Sequence, residues 1–384
     1  MYKAVVDFVK DTFQSEDNFI PLHEPRFIGK EREYVMDCID STFVSSVGKY
    51  VDLFEEKVKE FTGAKYAIAT TNGSAALHLS LVLAGVKRDE LVITQPLTFI
   101  ATCNAISYIG AEPLFIDVDK ETLGLSPNKL EDFLSKYTKI NVNGNLIHIE
   151  SGKRIAACVP MHTFGHPVDI DGVVRVCEKF NLPLIEDAAE SIGSQFNKIQ
   201  TGRFGLMGTF SFNGNKTITC GGGGMIITDN DEIGVLAKHL STQSKVPHPW
   251  EFKHDNIGYN YRLPNLNAAM ACAQVEQLDS FIKNKRNLAL IYSDFFKTTD
   301  IKFITEPSKC VSNYWLNAVL LNNLEERNNF LEFTNKNNVM TRPVWTLMTK
   351  LEMFKGALKG NIENSEWLED RLVNIPSSVR IDSI

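Results

Sequence analysis

One lysine, Lys216, lies between an apolar run and a cluster of glycines. Residues 209–212 alternate in polarity like a strand, and glycines occupy 221–224. A lysine that a tight turn holds in one rotamer, partly removed from water, loses its proton more easily and can form a Schiff base with a carbonyl. The same pattern also predicts a β-hairpin in which residues 225–229 return as the second strand and Lys216 is an ordinary surface residue.

Two carboxylates, Asp187 and Glu190, come directly after the apolar run 182–185. A carboxylate at the carboxyl end of a buried strand loses hydration energy unless a cation faces it. A protonated pyridine nitrogen is such a cation. The alternative is the acidic first turn of a helix, which needs no ligand.

Two small residues, Gly73 and Ser74, stand between a predicted strand and a predicted helix. The free N–H groups and the dipole at a helix N-terminus favour a phosphate, although helix capping alone also explains this turn. At a second strand-to-helix junction, residues 96–102, Phe99 can cover one face of a ring. Most single phenylalanines instead fill the core.

Pyridoxal phosphate needs four things from a protein: an amine for its aldehyde, an acid for its ring nitrogen, a side chain against its ring and donors for its phosphate. The candidates for these roles are Lys216, Asp187, Phe99 and the turn at Gly73 and Ser74. A dinucleotide cofactor is disfavoured because no G-x-G-x-x-G motif lies between a strand and a helix. The sequence therefore predicts a pyridoxal 5'-phosphate site.

Strands and helices alternate through the part of the chain that must position these residues. The predicted strands are 66–70, 91–94, 113–117, 155–160 and 182–187, and the helices between them include 75–84, 98–109 and 170–180. This spacing predicts parallel crossovers and an α/β fold. A helical pattern at 265–296 predicts a bridge to a smaller domain, which divides the chain into 1–265, with an N-terminal helix and arm, and 266–384.

Composition excludes several classes of function. The 384 residues are 43% hydrophobic and 23% charged, as in a globular protein with more than one core. The formal net charge of -7 argues against a nucleic-acid partner. The 7 cysteines show no metal-ligand spacing and predict reduced thiols in the cytoplasm, with no metal. No apolar run approaches the roughly 18 to 20 residues that span a bilayer.

The chain resembles the DegT/DnrJ/EryC1/StrS family of pyridoxal-phosphate-dependent sugar aminotransferases over nearly its whole length. The segments that carry the resemblance are F-S-F-N-G-N-K-x-I-x-x-G-G-G-G at 210–224, D-A-A-E at 187–190 and G-Y-N-Y-R at 258–262. It implies a fold-type I aminotransferase, with a large, mostly parallel α/β/α sheet domain and a smaller C-terminal α/β domain. Segments 20–25, 40–50 and 161–167 look most like the bacillosamine and legionaminic-acid branch, whose substrate is a UDP-linked 4-keto-6-deoxy-N-acetylglucosamine.

The resemblance also implies residue roles. Lys216 binds the cofactor aldehyde and Asp187 pairs with the ring nitrogen. Further implied contacts are the phosphate with Gly73, Ser74 and Ser211, ring stacking by Phe99, and Glu190 near the ring 3-hydroxyl. In the family, the residue corresponding to Asn260 reaches the phosphate of the neighbouring subunit, which implies a homodimer with shared active sites. Relatives with histidine in place of the lysine catalyse dehydration, so Lys216 favours transamination.

The predicted function is transfer of an amino group from L-glutamate to a UDP-linked 4-keto-6-deoxy-N-acetylhexosamine, with release of 2-oxoglutarate, in cell-surface glycan biosynthesis. The alternatives are an aminotransferase for another keto-sugar, dTDP- or GDP-linked, and a regulatory protein that binds pyridoxal phosphate. The candidate substrate contacts are Arg26, His162, Arg342 and Trp345, the last two because 341–345 resembles a family segment near the sugar nucleotide. Solvated arginines and a structural histidine explain the same residues.

Overall fold

The computed structural model describes residues 1–15 and 18–381. The α-helices are α1 (Tyr2–Thr12), α2 (Glu31–Asp40), α3 (Lys49–Thr62), α4 (Gly73–Leu83), α5 (Ile100–Tyr108), α6 (Pro127–Tyr137), α7 (Ile170–Lys179), α8 (Asp231–Ser241), α9 (Asn265–Val275), α10 (Leu278–Phe296), α11 (Leu324–Lys336) and α12 (Glu363–Glu369).

The strands are β1 (Tyr66–Thr70), β2 (Leu91–Thr94), β3 (Glu112–Phe115), β4 (Thr138–Ile140), β5 (Leu146–His148), β6 (Ile155–Val159), β7 (Ile185–Asp187), β8 (Gln195–Phe196), β9 (Ile199–Gln200), β10 (Met207–Ser211), β11 (Gly224–Thr228), β12 (Lys245–Val246), β13 (Lys253–His254), β14 (Lys302–Phe303), β15 (Cys310–Val311), β16 (Asn317–Leu320), β17 (Arg342–Pro343) and β18 (Leu372–Ile375).

The central sheet has the strand order β3-β2-β6-β7-β10-β11-β1. β2 pairs in parallel with β3 and β6, and β7 pairs in parallel with β10. Parallel bridges from Cys158 to Leu184 and from Met161 to Asp187 join the two halves. β11 runs antiparallel to β10 and β1. The predicted α/β fold with a mostly parallel sheet is therefore confirmed, and so is the hairpin that β10 and β11 form.

Helices cover both faces of this sheet, as buried parallel strands require. In β2, Leu91 and Ile93 belong to the apolar cluster that includes α6 and α7. Val92, between them, belongs to the cluster of α4, α5 and α8 on the opposite face. Because side chains of a strand alternate between faces, three apolar residues in a row serve two cores.

The predicted continuous helix at 265–296 is wrong in one respect, because the chain breaks into α9 and α10. At the break, Gln277 has φ -104° and ψ -4°, and Nε2 of its side chain donates to Oε1 of Glu31 at 2.7 Å. α9 packs on α2 and α3, whereas α10 packs with the C-terminal sheet, so the two helices need different axes. No glycine or proline marks this break, so the helical period runs through it.

The C-terminal part of the chain forms an antiparallel sheet in the order β14-β16-β18-β17. Three helices, α1, α10 and α11, pack together through an apolar cluster that includes Val5, Leu288, Val319 and Phe330. The predicted division placed the N-terminal helix in the large domain. Its valine face packs in the apolar cluster of α10, α11 and this antiparallel sheet.

Among the residues described, the helices are all too short or too polar to cross a membrane.

Candidate active site

A cavity of about 300 Å³ lies where β7 and β10 end and α4 begins. The predicted site residues that line it are Gly73, Ser74, Phe99, Asp187, Glu190, Ser211, Lys216 and Trp345. They come from stretches that are far apart in the sequence. Parallel strands bring them together because their carboxyl ends meet at one edge of the sheet.

Lys216 lies in the loop between β10 and β11, and its amine has two neighbours. Its Nζ is 3.2 Å from Oε1 of Glu190 and 4.0 Å from the ring centroid of Trp315. The side chain is 12% exposed, so the amine is largely removed from water yet reaches the cavity. The hairpin and the reactive-lysine interpretations are thus compatible, because the paired strands hold the loop that carries Lys216.

Asp187 is the last residue of β7, and its buried carboxylate accepts two hydrogen bonds. Oδ2 accepts from Oγ1 of Thr102 at 2.7 Å, and Oδ1 accepts from the N–H of Ala189 at 3.2 Å. Burial raises the pKa of Asp187, and these hydrogen bonds and the charge of Lys216 oppose that rise. A cationic ring nitrogen in the cavity would offset the desolvation. The carboxylate therefore fits the partner that pyridoxal phosphate presents.

Glu190 carries the second carboxylate of the site. Its Oε2 accepts the N–H of Phe164 at 2.9 Å, and its Oε1 faces the amine of Lys216. Burial raises the pKa of Glu190 to about 7, with the charge of Lys216 acting in the opposite direction. Glu190 can therefore gain or lose a proton beside the lysine near neutral pH.

The N-terminus of α4 forms the phosphate side of the site. Oδ1 of Asn72 caps the helix by accepting from the N–H of Ala75 at 2.8 Å. Gly73 and Ser74 lie in the first turn, whose N–H groups have no acceptor inside the helix. A Cβ on Gly73 would stand 2.9 Å from Cβ of Ser211, so the glycine permits the close approach of β10. These donors and the serine hydroxyls suit a phosphate.

Phe99 lies on the cavity wall and not in the core. It is 47% exposed, and its ring centroid is 6.1 Å from that of Trp345. Trp345 also packs on Phe164, at 5.1 Å. The core interpretation of Phe99 is therefore wrong, and the exposed ring is free to cover a bound aromatic ligand.

Two of the predicted contacts are held away from the cavity by their own hydrogen bonds. His162 is fully buried, and its Nε2 contacts Oε2 of Glu186 at 3.0 Å while its Nδ1 accepts from the N–H of Val168 at 3.2 Å. The structural alternative for this histidine is thus the one its contacts favour. Arg26 donates from Nε to the carbonyl of Val379 at 2.9 Å and pairs with Glu24.

The other two predicted contacts, Arg342 and Asn260, are exposed and do not line the cavity of their own chain. Arg342 begins β17, and Asn260 follows the hairpin of β12 and β13. Oδ1 of Asn260 accepts from Nε of Arg262 at 3.2 Å.

The sequence analysis did not identify Thr102 and Trp315 as site residues. Thr102 lies in the junction 96–102, one helical turn beyond Phe99, and this spacing is a signal that was available. Trp315 precedes β16, and its Nε1 donates to the carbonyl of Asn215 at 2.6 Å. No local pattern indicates this contact, because it joins segments that are far apart in the sequence.

Comparison with known proteins gives a consistent result. The model of the DegT/DnrJ/EryC1/StrS aminotransferase family matches residues 26–383. The GDP-perosamine synthase of Escherichia coli O157:H7 is 36% identical over 361 residues, which cover 94% of this chain and 93% of that protein. The GDP-perosamine synthase of Vibrio cholerae is 36% identical over 361 residues, 93% and 94% of the two chains. Helicobacter pylori PseC, an aminotransferase involved in the biosynthesis of pseudoaminic acid, shares the fold with a TM-score of 0.83 at 22% identity, over 94% of each chain.

Proposed function

We propose a substrate and residue roles for this chain, which belongs to the DegT/DnrJ/EryC1/StrS aminotransferase family and is a pyridoxal-phosphate-dependent sugar aminotransferase. The proposed reaction moves the amino group of L-glutamate to the C4 ketone of a UDP-linked 4-keto-6-deoxy-N-acetylhexosamine and releases 2-oxoglutarate. The observation that carries the amino transfer is the position of the Lys216 amine, 3.2 Å from a buried carboxylate inside the cavity.

The cofactor, when bound, supplies an aldehyde that accepts an amino group and a ring that takes up negative charge. Nζ of Lys216 removes the proton from the α-carbon of the donor and later delivers a proton to C4 of the sugar. Asp187 holds a proton on the ring nitrogen, because its buried carboxylate needs a cation. Glu190 keeps a proton within reach of Lys216. Gly73, Ser74 and Ser211 would contact the phosphate of the cofactor, and Phe99 would cover its ring.

Two segments that resemble the UDP-sugar branch lie beside the cavity and support the UDP assignment. Leu22, in segment 20–25, packs in one apolar cluster with Trp315 and Trp345, both of which line the cavity. Phe164, in segment 161–167, donates its N–H to Glu190 and packs on Trp345. Sequence differences in these segments therefore reach the pocket that receives the sugar.

A GDP-linked 4-keto-6-deoxyhexose is the second candidate acceptor. The relatives that are 36% identical over more than nine-tenths of this chain are named GDP-perosamine synthases. The two candidates share the transfer chemistry and differ in the nucleotide and in the N-acetyl group of the sugar.

The active site is proposed to be shared between two copies of this chain. Large apolar side chains are exposed in the loop 41–48 and around the hairpin of β12 and β13. They are Phe43, Val44, Val47, Trp250, Phe252 and Ile257. Exposed apolar surface of this kind indicates a protein interface. Asn260, which does not line the cavity of its own chain, lies near this hairpin and is the residue proposed to reach the partner's cofactor phosphate.

A paired assay tests the substrate. Purified holoenzyme is given L-glutamate with either the UDP-linked or the GDP-linked 4-keto-6-deoxy sugar, and release of 2-oxoglutarate and of the amino sugar is measured. We expect kcat/KM to be at least about 100-fold higher with the UDP-linked ketone, a difference of two to three kcal/mol in transition-state binding. A preference for the GDP-linked ketone would replace the first candidate with the second. Release of 2-oxoglutarate with neither sugar would contradict both.

A further inference from the structure

A second buried lysine, Lys285 in α10, lies behind the wall of the cavity. Its side chain has no exposed surface. The amine donates to the carbonyl of Trp315 at 3.1 Å and to the carbonyl of Ser377 at 2.5 Å. Burial lowers the pKa of Lys285 to about 7. A buried amine is costly, and the acceptors that stabilise it here belong to two separate segments of backbone.

Trp315 connects this amine to the active site. Its carbonyl accepts from Lys285, while its ring faces Nζ of Lys216 at 4.0 Å from the centroid. Its indole N–H donates to the carbonyl of Asn215, the residue that precedes Lys216, at 2.6 Å. Oδ1 of Asn313 accepts a hydrogen bond from the backbone N–H of Trp315 at 2.8 Å. The side chain of Trp315 thus contacts the loop of the reactive lysine twice, and its backbone carbonyl contacts the buried amine.

Glu190, Asp187 and His23 are ionisable groups near the two amines. Glu190 faces Lys216 at 3.2 Å, and Lys216 acts electrostatically on Asp187. His23 is near both amines, and burial together with the charges of Lys285, Arg26 and Lys216 lowers its pKa well below the ordinary value. His23 therefore stays neutral.

We propose that Lys285 is a positioning residue that holds Trp315 against the amine of Lys216. By joining the backbone of Trp315 to that of Ser377, the amine fixes the backbone from which the indole projects, and the hydrogen bond to Asn215 then orients the ring. The face of the indole attracts the protonated form of Lys216 through a cation–π contact and covers it from water. This role goes beyond the proposed substrate. It matters for catalysis because Lys216 is the reactive amine in the proposed function.

The test measures how fast Lys216 of the cofactor-free protein reacts with an amine-acylating reagent at one fixed pH, by mass spectrometry of the peptide that contains it. Lys285→Met and Trp315→Leu are each expected to raise this rate roughly 2- to 30-fold, the factor that a cation–π contact implies. The double variant is expected to react no faster than Trp315→Leu alone, because Lys285 acts through Trp315. Additive effects in the double variant would overturn the proposal.

Tyr292→Phe is the matched control. Tyr292 lies on the same helix, is fully buried, and donates to the carbonyl of Pro376 at 2.9 Å, next to Ser377. Its loss is expected to lower the melting temperature and to leave the reactivity of Lys216 unchanged. An increase equal to that of Lys285→Met would reduce Lys285 to a general stabilising role and refute positioning.

Two further points keep the test decisive. If Lys285→Met yields no folded protein, Lys285→Gln takes its place, because an uncharged amide reaches at most part of the same acceptors. An acylation rate of Lys216 within about 1.5-fold of wild type in that variant would then refute the proposal. Because the readout needs neither cofactor nor sugar, a wrong nucleotide assignment leaves the result unaffected.

Discussion

The two halves of the proposed active site are built differently. The cofactor half comes from the ends of β7 and β10 and the start of α4, and its carboxylates are buried and hydrogen-bonded within the large domain. The half proposed to bind the sugar nucleotide draws on the arm at 20–26 and on 341–345, where Arg342 is exposed and Arg26 is bound to Val379. The rigid sheet therefore preorganises the chemistry, and segments outside it are left to set specificity.

The comparison predicts that changes in the cofactor half abolish chemistry, and Lys216→Ala is the most severe. Without its amine the site loses both the nucleophile and the base, so kcat should fall by more than about 10⁴-fold. The visible absorbance of lysine-bound pyridoxal phosphate should disappear from the purified protein. Both are measured by spectrophotometry on wild type and variant side by side.

Lys216→Arg is the control for charge. It keeps a cation near Glu190 and the ring of Trp315 but offers no primary amine. We expect it to fold normally by circular dichroism and to be as inactive as Lys216→Ala. Turnover by either variant would remove Lys216 from its proposed role.

Asp187→Asn should have the next largest effect. An amide of the same shape cannot neutralise a protonated ring nitrogen, so kcat should fall about 10²- to 10⁴-fold while the protein still binds cofactor. Thr102→Val, which removes only the 2.7 Å hydrogen bond to Oδ2, should cost about 10- to 100-fold. If Asp187→Asn kept kcat within a factor of three of wild type, the ring nitrogen would need another partner.

Much of the cofactor half could be predicted from sequence because its signals are local. A strand that ends in a carboxylate, as at Asp187, and a glycine at the start of a helix, as at Gly73, each imply a position by themselves. Trp315 and Lys285 could not be found this way, because their roles arise from packing between distant segments. The break at Gln277 was missed for the same reason, since contacts with α2 and the C-terminal sheet set the two helix axes and the local sequence does not.

Glu190 gives a prediction of intermediate size that concerns stability. Its pKa of about 7 in the folded state lies above the ordinary 4.5, so between these values the folded protein binds more protons than the unfolded chain. Its contribution to the free energy of unfolding is therefore fully present below pH 4.5 and is lost as the pH rises through 7. Relative to Glu190→Gln, the cofactor-free wild type should lose roughly 1 to 3 kcal/mol across this window, measured by urea unfolding.

Glu352→Gln serves as the control for Glu190, since its side chain is 86% exposed. It should leave the pH dependence of the wild type unchanged. The same slope for wild type and Glu190→Gln would show that the buried carboxylate does not titrate in this range.

The smallest effect is expected in the substrate half, at Arg342. An exposed cation that contacts a diphosphate adds binding energy equally to the ground state and the transition state, so Arg342→Ala should raise KM for the nucleotide sugar about 2- to 10-fold and leave kcat unchanged. Arg26→Ala is the informative comparison. Its guanidinium donates to the carbonyl of Val379, so its removal should lower the melting temperature and change KM little. A fall in kcat for Arg342→Ala would mean that the exposed half also takes part in the chemistry, and an unchanged KM would remove Arg342 from the substrate site.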